Sequence, residues 1–151
     1  MKNKQYFGIG IINPKTEMNV GSLWRSASIL GASFIFTIGR RIKTQASDTS
    51  ETWKSIPFYN YLTFEDFYKS MPYDCQLIGV ELDNRCLKIE EYKHPNRCIY
   101  LLGAEDNGIT SYARNKCHQL IQLPLGNYNV ANAGSIVMYD RHLKQKLINE
   151  I

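Results

Sequence analysis

The sequence lacks most of the features that assign a chain to a function quickly. It has 151 residues, with only four cysteines, five prolines and two tryptophans. Cys75, Cys86, Cys98 and Cys117 form no CxxC pair, and their gaps of 11, 12 and 19 residues fit no zinc pattern. They read as reduced thiols, and no metal is expected. No apolar run approaches the length of a membrane span. The N-terminus, MKNKQYFGIGIIN, has two lysines but no apolar stretch of signal-peptide length. These absences exclude membrane anchoring as a leading reading and favour the cytoplasm. There is no P-loop and no GxGxxG, so a nucleoside-triphosphate site and a Rossmann dinucleotide site have little support. No charge of one sign dominates: 18 Lys and Arg face 14 Asp and Glu, for a net charge of +4 and a pI of about 8.8. That mild excess suits a nucleic-acid partner and equally an ordinary basic surface. No repeat, low-complexity tract or linker interrupts residues 1–151, which read as one domain long enough to bury a core.

What is present alternates. YFGIGII (6–12), SFIFTI (33–38), QLIGVEL (76–82), CIYLLGAE (98–105) and QLIQLPL (119–125) are short apolar runs of strand character. Between them lie helical patterns. From Val20, apolar residues recur at 23, 24, 27 and 30, with Gly31 where a helix ends. TFEDFYKSM (63–71) is a short helix capped by Thr63, and ITSYARNKC suits another. From Val130 to about Ile148 runs the last helix, with Ile136, Tyr139, Leu143 and Leu147 spaced by 3, 4 and 4. Residues 44–60 are polar and aperiodic and read as a long loop with one helical turn at most. The alternation predicts an α/β domain with a mostly parallel sheet. In such sheets ligands bind outside the carboxyl ends of the strands. Three strand exits carry unusual polar loops, at 13–21, 103–108 and 124–129.

Each exit has a chemical and a plain reading. In NPKTEMNVGSLWRSASILGA, Asn19 and Gly21 stand at a helix start, where free N–H groups favour an anion, and Arg25 reaches from one turn further on. A solvated arginine beside an ordinary cap explains the same residues. In LLGAEDNGIT, Gly103 admits close approach, Gly108 a positive φ, and Glu105 accepts hydrogen bonds; a simple strand-to-helix turn does so too. In LPLGNYNVAN, Pro124 fixes the strand exit, and Gly126 with Asn127, Asn129 and Asn132 offers neutral donors and acceptors suited to an adenine-like group. Asparagine is also a favoured helix cap.

Taken together and in order, the three stretches resemble the three motifs of the SPOUT methyltransferases, in the SpoU or TrmH-like branch. The first motif, N-x-G-x-x-x-R-x-A with a later glycine, stands as Asn19, Gly21, Arg25, Ala27 and Gly31. The second, G-x-E-x-x-G after a strand, stands as Gly103, Glu105 and Gly108. The third, I-P-M and a glycine loop before S-L-N-V-S and an apolar helix, stands as Leu123-Pro124-Leu125, Gly126, and Asn127 to Ala131, with Val137-Met138-Tyr139-Asp140 further on. The resemblance covers about residues 8 to 142. Two departures mark it: the loop between Pro124 and Asn129 is shorter than the family's, and Asn127 replaces a serine. The chain resembles the minimal members, without an added N-terminal RNA-binding domain.

The resemblance implies a mostly parallel sheet flanked by helices with a C-terminal deep trefoil knot. It implies S-adenosylmethionine as cofactor, held by Val80, Gly103, Ala104, Leu123, Leu125, Asn127, Asn129 and Val130. Methyl transfer to a ribose 2′-hydroxyl of tRNA or rRNA follows, with Arg25, Asn19, Glu105 and Asn129 in catalytic positions and a homodimer as the working form. A guanidinium stays charged in proteins, so Arg25 suits phosphate holding and alkoxide stabilisation better than base catalysis. Arg40, Arg41 and Lys43, together with Arg25, are the candidate RNA contacts. Trp53, Phe58, Tyr59 and Tyr61 suit base stacking less well than packing. His94, His118 and His142 are scattered and receive no role. The competing readings are a base methyltransferase of the same fold, a non-catalytic RNA-binding knot protein, and a flavodoxin-like or Rossmann-like nucleotide binder.

Overall fold

The computed structural model describes residues 4–39, 55–104 and 108–150. The strands are β1 (Tyr6–Ile12), β2 (Phe34–Ile38), β3 (Phe58–Tyr61), β4 (Gln76–Val80), β5 (Leu87–Lys88), β6 (Arg97–Gly103) and β7 (Gln119–Gln122). The helices are α1 (Glu17–Ile29), α2 (Phe64–Ser70), α3 (Ser111–Lys116) and α4 (Val130–Asn149). The seven strands form one sheet in the order β3-β2-β1-β6-β4-β7-β5, and every pairing is parallel. The α/β class that the alternation predicted is the class observed.

Helices cover both faces, which is why the central strands read as unbroken apolar runs. Alternate residues of β1, Phe7, Ile9 and Ile11, face α1 and α4, where Val20, Leu23, Trp24, Val137 and Met138 complete a core. The opposite face gathers Phe34, Phe36, Leu77, Ile99 and Leu101 with Phe64 and Phe67 of α2 and Ala113 of α3. Pairing decides composition here. Gly10 lies opposite Phe36 in the β1–β2 ladder, and a Cβ at Gly10 would stand 2.5 Å from that ring.

Several sequence expectations shift. The first helix begins at Glu17 rather than near Val20, because Thr16 caps it: its hydroxyl accepts the Asn19 N–H at 3.2 Å. β3 overlaps the end of the stretch 44–60 read as loop. FYNY is a half-exposed edge strand and so lacks an apolar signature, but it pairs along β2 from Ile35–Phe58 to Ile38–Tyr61. The two-residue β5 and a 3₁₀ turn at Ile89–Glu91 are too short to leave a periodic mark in the sequence. Phe58 packs on Trp24 at 5.3 Å, Tyr59 on Phe34 at 5.8 Å and Tyr61 on Phe67 at 5.6 Å, so these aromatics pack rather than stand free. Trp53 lies outside the described residues.

The last helix differs most in which face it buries. The stripe Ile136, Tyr139, Leu143 and Leu147 is exposed, Tyr139 to 57%. The inward face is instead Val130, Ala133, Gly134, Val137, Met138 and Arg141. Small residues let α4 approach α1 closely, and a hydrogen bond from Ser135 Oγ to Ser26 Oγ (3.0 Å) ties the two helices. All four cysteines are free. Burial pushes the Cys117 thiol up to about 12, which leaves it inert. Among the described residues no helix is long and apolar enough to cross a membrane.

Candidate functional site

β6, β4 and β7 lie side by side, so their carboxyl ends share one rim of the sheet. A cavity of about 380 Å³ opens there. Strand ends supply Val80, Leu102 and Gly103 to its wall; the connecting loops supply Glu81, Leu82, Ala104, Gly108, Leu123 and Gly126 to Asn129; Val130 and Ala133 come from the first turn of α4. Its volume falls in the range of small-molecule sites, and its lining mixes apolar surface with neutral amides, as such sites do.

Local geometry explains why these residues meet. Gly103 passes so close to the loop behind it that a Cβ would stand 2.2 Å from the Gly108 carbonyl carbon. The Gly108 N–H donates to the Ala104 carbonyl at 2.8 Å, closing that loop. The shortened loop after Pro124 is closed in its own way: the Tyr128 hydroxyl donates to the Pro124 carbonyl at 2.5 Å. Leu125 and Gly126 turn the chain with φ of 73° and 142°. Asn129 then caps α4, its side-chain oxygen accepting the N–H groups of Ala131 (2.9 Å) and Asn132 (3.3 Å). Its amide nitrogen donates to Asn19 Oδ1 at 3.0 Å. That bond joins the first and third motifs across 110 residues of sequence.

Of the sequence candidates, Val80, Gly103, Ala104, Leu123, Asn127, Asn129 and Val130 line the cavity. Leu125 does not; its side chain is fully exposed. Asn19 reaches the rim through Asn129. Arg25 lies on the exposed side of α1 and is not part of the cavity wall. Glu105, Arg40, Arg41 and Lys43 lie outside the described residues. Among the wall residues outside that candidate set, two carry polar side chains, Tyr128 and Glu81. Tyr128 stood inside the third motif with no role. Glu81 directly follows Val80, at a strand exit whose composition looks ordinary.

Electrostatics sharpen the rim beside Glu81. The hydrogen bonds of Arg85 to Asp83, and then that of Arg114 (3.1 Å), hold the Asp83 carboxyl far below the usual carboxylate range. Arg114 also donates to the Ile109 carbonyl at 3.2 Å. Among the described residues no group of three or more His, Cys, Asp and Glu could hold a metal ion.

A sequence model of a known family, described as the SpoU rRNA Methylase family, matches residues 7–139. The chain belongs to the SpoU rRNA methylase family. Within it, the chain is 29% identical over 69 residues to the 23S rRNA (guanosine-2′-O-)-methyltransferase RlmB of Acinetobacter baylyi, a stretch that covers 43% of this chain and 28% of RlmB. The SpoU methyltransferase AviRb of Streptomyces viridochromogenes, solved in complex with the cofactor AdoMet, superposes with a TM-score of 0.81 at 19% identity. That match covers 96% of this chain and 62% of AviRb. The TrmH/SpoU tRNA modifying enzyme of A. aeolicus gives 0.85 at 15% identity, over 98% of this chain and 79% of that one. At these identities the structural likeness concerns the fold.

Proposed function

We propose that this chain is an S-adenosylmethionine-dependent RNA methyltransferase that transfers a methyl group to a ribose 2′-hydroxyl of tRNA or rRNA. The observation that carries the reading is the cavity at the ends of β4, β6 and β7, walled by residues of the second and third motifs and tied to the first by the Asn129–Asn19 hydrogen bond. Family membership and the guanosine-2′-O-methylation of RlmB support the reaction, the tRNA modifying activity of the TrmH/SpoU enzyme supports an RNA substrate, and the AdoMet bound to AviRb supports the cofactor.

The residues present fit that cofactor. Its adenosyl part is neutral and rich in hydrogen-bonding groups, and the 126–129 corner offers amides rather than charges. Val80, Leu102 and Leu123 offer apolar surface on which a ring can lie. In this reading Gly103, Ala104, Leu123, Asn127, Asn129 and Val130 hold the cofactor with Val80, and Leu125 serves through its backbone. Bound there, the group supplies a methyl on a sulfonium. The protein's task is then to hold the ribose in line, steady the developing alkoxide and keep the site ordered. Arg25 holds the neighbouring RNA phosphate and offsets alkoxide charge. Asn19 and Asn129 fix the loops on either side, Glu105 shapes the second, and Arg40, Arg41 and Lys43 add phosphate contacts.

A homodimer belongs to the same proposal. Arg25 stands outside the cavity wall, and the stripe of Ile136, Tyr139, Leu143 and Leu147 gives α4 an apolar face with room for a second copy. The trefoil knot of the family and a cytoplasmic location complete it.

Titration with S-adenosylmethionine and S-adenosylhomocysteine should show micromolar binding. Mass mapping of RNA from a deletion strain should then show one ribose methylation lost. In an Arg25→Ala protein, turnover should fall at least about a hundredfold, the scale of losing one charge-stabilising donor, while cofactor affinity stays within about twofold. Full methylation by that variant would remove Arg25 from the mechanism.

A further inference from the structure

Glu81 is the one carboxylate in the cavity wall among the described residues. Its two oxygens are not idle. Oε1 accepts the Ile109 N–H at 2.5 Å, and Oε2 accepts the Leu82 N–H at 3.2 Å. The first bond spans 28 residues and joins the exit of β4 to the chain that returns from the exit of β6. The residue it grips is held through its next peptide too. Arg114 donates to the Ile109 carbonyl and, with its other nitrogen, to Asp83, two residues beyond Glu81. Gly108 has a positive φ of 59°, and a Cβ there would meet Glu81 Oε1 at 2.5 Å, so the fit between the two strand exits is close. Behind Gly108, Gly103 leaves no room for a side chain. The cavity wall made by Gly103, Ala104 and Gly108 is therefore as well placed as the Ile109 peptide is.

We propose that Glu81 is a positioning residue, which holds Gly108 and Ile109 against β6 and so sets the wall that the cofactor meets. The inference rests on the methyltransferase reading for its consequence, but the clamp itself is a property of the unliganded protein. An amide carbonyl can take the place of Oε1 for the Ile109 N–H, at the cost of the weaker Leu82 bond to Oε2, whereas an interaction made through charge is lost. Glu81→Gln should therefore keep the clamp, and Glu81→Ala should break it.

The experiment uses the full chain. Amide hydrogen exchange at Ile109, read by NMR without ligand, should quicken at least about tenfold in Glu81→Ala and stay near wild type in Glu81→Gln. Calorimetric titration with S-adenosylhomocysteine should then show an affinity loss of about tenfold for the alanine variant and less than about threefold for the glutamine variant. KM for S-adenosylmethionine should rise in step while kcat changes little, a split that general loss of stability would not produce. Unchanged Ile109 exchange in Glu81→Ala would overturn the proposal. So would equal losses of affinity in the two variants, which would make the charge itself the contact. Failure of the wild-type protein to bind S-adenosylhomocysteine, with the exchange result as expected, would count against the methyltransferase reading and leave the clamp standing.

Discussion

The two halves of α4 solve opposite problems with opposite chemistry. At its N-terminal end Asn129 caps the helix, donates to Asn19 and faces an open cavity, and the surrounding groups are neutral amides. Three turns further on, near the middle of the same helix, buried Arg141 holds a polar cluster whose outer members, Gln5, Asp140 and Lys144, reach the surface. One of its terminal nitrogens donates to the Pro95 carbonyl (2.6 Å) and the Tyr100 hydroxyl (3.2 Å); the other donates to Gln5 Oε1 (2.6 Å) and the Asn96 carbonyl (2.9 Å). The guanidinium also lies 4.8 Å from the centre of the Phe7 ring. Asp140 and Lys144 continue the cluster: Lys144 pairs with Asp140 at 2.9 Å and donates to the carbonyls of Ile89 and Tyr92. The open end must exchange water for a ligand, so its donors are neutral amides. The closed half exchanges nothing, so charge is tolerable there because every partner is already in place. The comparison teaches that α4 is anchored in one half so that it can present a prepared corner in the other.

The largest effect should come from breaking the anchor. Arg141→Met removes the donor that satisfies the Pro95 and Asn96 carbonyls, Gln5 Oε1 and the buried Tyr100 hydroxyl. A loss of about 1–3 kcal/mol is expected, the scale for neutral acceptors left without their donor. That is a large share of the roughly 5–15 kcal/mol that holds a domain together. Urea denaturation measures it directly. A loss below about 1 kcal/mol would mean that water reaches those acceptors, and the contrast between the two halves would collapse.

At the open end the cost should be smaller and separable. Asn129→Ala loses the cap and the Asn19 link together, at about 1 kcal/mol of stability for the cap. Asn129→Asp keeps an oxygen for the Ala131 and Asn132 N–H groups but has no donor for Asn19. Thermal unfolding should therefore leave Asn129→Asp near wild type, while its methylation activity falls as far as that of Asn129→Ala. Equal stability losses in the two variants would show that the cap contributes little and the link to Asn19 holds the corner.

What the sequence discloses follows the same division. The cavity corner was legible because its pieces are local: a strand exit, a glycine turn and a helix start each leave a mark within about ten residues. Central strands were legible because burial on both faces makes them unbroken apolar runs. The anchor left no such mark. His94, Tyr100 and Asp140 are scattered residues until the fold lays α4 over β6, and His94 was accordingly assigned nothing. Glu81 was hidden for a related reason: it meets Ile109 only because β4 and β6 are sheet neighbours, and spacing along the chain does not show strand order. The apolar stripe of α4 misleads in the other direction. Its spacing marks a face, but the core took the face of small residues that lets α1 approach.

The finest test of the contrast concerns His94, where hydrogen-bond order fixes a tautomer. Asp140 can only accept, so His94 Nε2 donates to it at 2.7 Å, and Nδ1 is left to accept the Tyr100 hydroxyl at 2.6 Å. Burial raises the Tyr100 phenol well above its usual range, which keeps it a donor, and Arg141 donates to its oxygen in turn. The chain from Arg141 through Tyr100 and His94 to Asp140 and Lys144 is complete only with neutral imidazole. Burial lowers the pKa of His94 more than Asp140, a hydrogen-bond partner of opposite charge, raises it. The unfolded chain takes up that proton from about pH 6.5 downward, and the folded protein does so only at lower pH. Stability from this group is therefore present above about pH 6.5 and falls as pH drops through the window below it, by at most about 1.4 kcal/mol per pH unit. Unfolding free energies of wild type and His94→Gln between pH 7 and 5 isolate the contribution, since other titrating groups are common to both. Wild type should lose stability faster on acidification. If it gained relative to the variant, the folded imidazole would be charged and held by Asp140, and the closed half of α4 would be an ion-pair site rather than a neutral chain between two ions.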